Sequence, residues 1–187
     1  MVVGVMLVPV GAVDFNLMAF LREEVPSRFP FELEALVPLV REQLPLELYD
    51  SSRMQYNAVG VNAFLYERYY ALIREGFYLV GIVMADGFVE GLNFVFGLAS
   101  PPMRVASVYL ARMRLNGLDL LWERSLKVTV HELGHLFGLE HCSNPGCVMR
   151  FSNSLVELDE KGSRFCEVCR ARLLELYKSG SIVEIGD

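Results

Sequence analysis

The stretch "LKVTVHELGHLFGLEHCSNPGCVM", residues 126–149, holds all three histidines of the 187-residue chain and two of its four cysteines. It continues a run, "LDLLWERSLKVTVHELGHLFG" (118–138), that reads as one long helix, apolar nearly all round in its second half. Such a helix runs through the centre of a protein, so its histidines face core or a cavity. His131 and His135 stand at i and i+4. They lie about 40° and one turn apart and project from one face, a two-nitrogen clamp for zinc. Glu132 is turned about 100° from His131, so it is placed as a general base toward a water on the metal, not as a ligand. A catalytic zinc usually has three protein ligands and an open position. His141 would lie about 15 Å from His131 along a continuing helix. Gly138 supplies the left-handed stop that turns the chain back and makes His141 the third ligand.

The thiols follow at once. Cys142 and Cys147 are spaced C-x4-C, and Cys166 and Cys169 are spaced C-x2-C at the start of a last helix. Two short-spaced pairs form a four-thiolate zinc pattern. Two disulfides would need an oxidising compartment that nothing else supports. Iron in four thiolates fits the same spacing. His141 and Cys142 are neighbours, so a thiolate site would anchor the returning histidine and tie the C-terminal helix to the cleft floor.

"HELGHLFGLEH" is similar to the extended zinc signature of the metzincin metalloproteases. Extended through "C-x4-C-x-M" to "C-x2-C", residues 131–169 resemble the archaemetzincin family. The resemblance implies a catalytic zinc on His131, His135 and His141, with Glu132 as base. It implies a second, structural zinc on Cys142, Cys147, Cys166 and Cys169, and a methionine turn at Met149 beneath the first. The implied activity is a metallopeptidase that hydrolyses peptide bonds, with Glu132 taking a proton from the attacking water and passing it to the leaving amine. A zinc-containing peptide-binding or regulatory module with little turnover is the alternative, and Glu132 speaks against it, because a binder needs no base. A zinc hydrolase acting on another amide is a third reading. With all four thiols assigned, none is left to cover the zinc as a latency switch.

Outward from the motif, the chain reads as α/β: a mixed, mainly parallel twisted sheet with packed helices and a central active-site helix. The expected strands are 2–10, 29–39, 77–85, 93–99 and 104–113, with 77–85 central because it is continuously apolar. "RVASVYLARM" (104–113) alternates like a half-exposed strand and is the candidate upper rim of the cleft, where a substrate strand could add. Helices are expected at 14–25, with Asp14 as N-cap, at 61–76, stopped by Gly76, at about 119–137, and from about Cys166 to Lys178. Residues 40–60 read as mostly loop, and 139 to about 164 as irregular. The expected division is an upper subdomain, 1–138, and a lower one, 139–187.

Apolar residues make up 53% of the chain, enough for a sizeable core, and the net charge of −6 argues against nucleic-acid binding. The apolar start "MVVGVMLVPVGAV" lacks a basic n-region and is too short to span a bilayer, so it reads as a buried strand. A cytoplasmic monomer acting on peptides or proteins, with no membrane partner, is expected. The basic residues include only three lysines, Lys127, Lys161 and Lys178, which by itself says nothing about activity.

Overall fold

The computed structural model describes residues 2–115 and 117–186. The strands are β1 (Val3–Val10), β2 (Leu33–Leu36), β3 (Tyr49–Asp50), β4 (Gln55–Asn57), β5 (Tyr78–Val83), β6 (Gly87–Phe88), β7 (Gly97–Ser100) and β8 (Val105–Tyr109). The helices are α1 (Phe15–Glu24), α2 (Ala58–Arg68), α3 (Tyr70–Arg74), α4 (Leu118–Leu136), α5 (Leu155–Glu160) and α6 (Glu167–Lys178). The main sheet has the order β2-β1-β5-β8-β7, parallel throughout except for β7, which runs antiparallel to β8. The expected mainly parallel α/β sheet is therefore present, with β5 in the middle position. Parallel strands covered on both faces are apolar throughout, and every residue of β1 and of β5 is buried.

One core, between the sheet and α1 and α4, includes Leu7, Leu17, Val80, Val108, Val130 and Leu133. A second, on the opposite face under α2 and α3, includes Val8, Val61, Leu65, Leu79 and Ile73. The expected N-cap of α1 holds: Asp14 Oδ1 accepts from the Asn16 amide at 2.9 Å.

Five expectations need correction. Residues 104–113 do not form a half-exposed rim: every residue of β8 is buried, because β5 and β7 flank it. Its polar positions are satisfied internally, Ser107 Oγ donating to the Tyr109 hydroxyl at 3.1 Å. The sheet edge is β7 instead, shorter than the expected strand at 93–99. The helix expected at 61–76 starts earlier, where the Asn57 side chain caps the Val59 and Gly60 amides, and it breaks at Tyr69, whose ψ of 20° leaves the helical range. There the Tyr69 hydroxyl donates to Glu42 Oε1 at 2.8 Å and Arg68 Nε meets the same carboxylate at 3.2 Å. Residues 40–60 contribute β3 and β4 to a small second sheet, β3-β4-β6. The stretch 139–164 is not wholly irregular, since it contains α5, with Ser154 accepting from the Glu157 amide as its N-cap.

Candidate metal centre

α4 carries the first part of the site through the middle of the molecule. Its end is the glycine stop expected from the sequence. Gly138 has φ +93°, the Gly138 amide donates to His135 O at 3.0 Å, and the Leu139 amide donates to Gly134 O at 2.9 Å. These two bonds form the Schellman arrangement, and they send the chain back along the helix. One ring nitrogen each of His131, His135 and His141 then lies within 4.8 Å of the other two. His131 Nδ1 donates to Val148 O and His135 Nδ1 donates to Leu139 O, both at 2.8 Å. Those bonds set the tautomers and leave the Nε2 lone pairs free, and the two Nε2 atoms stand 3.2 Å apart. Burial, with the nearby Lys161 ammonium acting in the same sense, pushes all three imidazoles below their ordinary range, which favours the neutral, metal-binding form.

Glu132 is buried and turned from the histidines toward β7. A Cβ added at Gly97 would lie 2.5 Å from Glu132 Oε1, so the strand must be bare there. The Ala99 backbone amide favours the charged form of the same carboxylate. Burial raises Glu132 to about 8, against the opposing pull of Lys161 and of that amide. On the other side, Met149 is fully buried, and its Sδ occupies the space a side chain at Gly134 would take.

The four cysteines form the second cluster. Their sulfurs lie within 4.8 Å of one another, and none is in a disulfide. Cys142 Sγ and Cys166 Sγ are 3.8 Å apart. The Asn144 amide donates to Cys142 Sγ at 3.4 Å and the Cys166 amide to Cys147 Sγ at 3.3 Å. The Cys142 amide also donates to Met149 O at 3.0 Å, closing the loop between the two clusters.

The histidines line a cleft of about 850 Å³. One wall comes from β7 and the chain before it, including Phe94 and Phe96, and the other from Phe151, Ser152, Leu158 and Lys161. Every site residue expected from the sequence is therefore in one of the two clusters or against one. Gly97, Ala99 and Lys161 were not foreseen.

Residues 33–175 match the model of the family described as peptidase family M54. The chain is 42% identical over 179 residues to the archaemetzincin of Aeropyrum pernix, a match covering 93% of this chain and 94% of that protein. It is 37% identical over 185 residues to the archaemetzincin of Pyrococcus abyssi, covering 90% and 93%. Among solved structures, archaemetzincin from Methanopyrus kandleri superposes with a TM-score of 0.80 at 33% identity, covering 95% of this chain and 96% of that one. The structure of archaemetzincin from Archaeoglobus fulgidus complexed with malonate gives 0.75 at 32% identity, covering 92% and 99%.

Proposed function

The chain belongs to peptidase family M54 and is a zinc metallopeptidase, and from that premise we propose that His131, His135 and His141 hold the catalytic zinc, Glu132 is the base, and Cys142, Cys147, Cys166 and Cys169 hold a second, structural zinc. The donor geometry supports both assignments. A tetrahedral zinc with bonds of about 2.1 Å to nitrogen separates its ligands by roughly 3.4 Å, and one with bonds of about 2.3 Å to sulfur by roughly 3.8 Å. The Nε2 separation of 3.2 Å and the Sγ separation of 3.8 Å fit those edges. The amide-to-sulfur bonds at Cys142 and Cys147 suit thiolates better than thiols.

His131, His135 and His141 would hold the zinc, which would supply Lewis acidity to a peptide carbonyl and to the attacking water. The protein's own residues do the rest. Glu132, held against Gly97 and Ala99, takes the proton of the attacking water and returns it to the leaving amine. Met149 and Gly134 fix the floor beneath the imidazoles, and Gly138 sets where His141 returns. The substrate lies along β7. The Tyr109 amide donates to Phe96 O at 2.8 Å, so Phe96 and Leu98 face β8, while the backbone groups of Gly97 and Ala99 face the cleft. An extended peptide adds to that edge through main-chain hydrogen bonds. We further assign residues 1–138 and 139–187 to upper and lower subdomains around this cleft. We also place the enzyme in the cytoplasm, as a monomer that binds neither membrane nor nucleic acid. Among the described residues no helix is long and apolar enough to cross a membrane.

The observation that carries the reading is the convergence of three imidazoles, one ring nitrogen of each within 4.8 Å of the others, at the helix that also carries the buried Glu132. A peptide-library screen of zinc-loaded wild type against Glu132→Ala tests it. Loss of the base is expected to lower turnover about 10²- to 10⁴-fold with zinc still bound. Equal cleavage by the two proteins would refute the assignment of Glu132. A fully metallated wild type that cleaves nothing would favour the peptide-binding module.

A further inference from the structure

Among the described residues that line the cleft, Lys161 is the one lysine or arginine, and its placement is unusual. Lys161 follows α5 and is only 3% exposed, yet it lines the cleft. Its Nζ donates to Arg150 O at 2.8 Å and stands 3.5 Å from His131 Nδ1, one imidazole ring away from the zinc-facing Nε2. Among the described residues no carboxylate lies within the 4.0 Å of an ion pair with it, and Glu132 acts on it only from a longer distance. The other buried cations are matched: Arg124 pairs with Asp159 at 2.6 Å and Lys127 with Glu123 at 2.9 Å. A buried ammonium is ordinarily paired, because leaving it in a low dielectric without an anion is costly.

A second group on the same wall is also unmatched. Ser152 lines the cleft, and its buried Oγ has no hydrogen-bond partner. Val128, Phe151 and Leu158 line the same cleft and supply apolar surface. An ammonium and a hydroxyl in a cleft that also offers apolar side chains make a receptor for an anion with a short apolar stem.

We propose that Lys161 and Ser152 form a carboxylate-binding subsite of the cleft, which selects peptides bearing a carboxylate next to the scissile bond. The carboxylate belongs to an aspartate or glutamate side chain or to the C-terminus of a short peptide. Lys161 supplies the charge and Ser152 a hydrogen bond, while Val128, Phe151 and Leu158 take the methylene stem. This subsite rests on the peptidase reading for its substrate class, but its recognition is separable from catalysis.

The test uses zinc-loaded Glu132→Ala protein, which binds without turning over, and fluorescence anisotropy with labelled hexapeptides. One series moves a single Glu, or Gln in its place, along an amidated peptide. Another compares free and amidated C-termini on a neutral peptide. A charge-assisted hydrogen bond predicts that one position, or the free terminus, binds about tenfold or more tightly than its neutral counterpart. The first series reports a side-chain source and the second a terminal one. Adding Lys161→Met should bring the ratio to about one, Lys161→Arg should retain it, and Ser152→Ala should reduce it severalfold. Absence of any charge preference would overturn the proposal, as would a preference that survives Lys161→Met with zinc content intact. Should Lys161→Met fail to fold, an unchanged ratio in Ser152→Ala overturns it instead. Wild-type turnover is scored separately: a retained preference with no cleavage counts against the peptidase reading and leaves the subsite standing.

Discussion

A methyl group at position 97 would stand 2.5 Å from Glu132 Oε1 and 2.7 Å from its Cγ. The carboxylate has nowhere to stay, because the helix on which it stands is buried. Gly97→Ala is therefore expected to move the base rather than the metal. Steady-state kinetics should show kcat down about 10- to 100-fold with KM little changed, and metal analysis should show zinc retained. A loss confined to KM would show that Gly97 serves only substrate binding. At this scale the ligands were legible in the sequence, since His131, His135 and Glu132 are related by helix geometry alone. His141 was legible too, given Gly138. Gly97, Ala99 and Lys161 were not, because they meet the site only through tertiary contacts from 30 or so residues away, and no local spacing encodes that.

Elements show the same division in another form. Strands β1 and β5 could be read from continuous apolar runs, and α4 from its length. Strands near β7 and β8 could be read, but not their places in the sheet, because a sequence pattern does not say which strand has a neighbour on each side. The short helix α5 was hidden for a related reason. It is held by charges on another helix rather than by its own periodicity. Arg124, 1% exposed, makes a two-point bond to Asp159 at 2.6 Å on each arm, and Lys127 Nζ donates to the Leu158 and Asp159 carbonyls at 3.2 and 2.9 Å. Asp159→Asn leaves the Arg124 guanidinium buried without its anion, and the expected loss is about 2–3 kcal/mol in urea unfolding, discounted because Asp159 is partly exposed. The hydrogen bonds of Arg124 hold the Asp159 carboxyl below its ordinary range. The pair's contribution is therefore complete above the unfolded value near 3.9 and is lost as pH falls through the lower folded one. Stability curves should show this acid-side loss in wild type and lack it in Asp159→Asn. An identical acid limb in both proteins would remove the pair from the account.

For the molecule as a whole, the two clusters are one peptide bond apart at His141 and Cys142, and the loop between them is closed by the Cys142 amide on Met149 O. Damage to the thiolates should therefore reach the histidines. Cys166→Ser is expected to weaken metal binding at the histidine site as well as at its own, as measured by chelator competition. Unchanged affinity at the histidines would show the sites to be independent. The glycines at 97 and 134 carry this further. One keeps the strand clear of the base, and the other keeps the helix clear of Met149. Under random mutagenesis with selection for activity, these two positions should tolerate as little change as the metal ligands do. The walls at 89–96 and 151–153 contain neither a candidate metal ligand nor either of these glycines, so new substrate preferences can be selected there while the chemistry beneath stays in place.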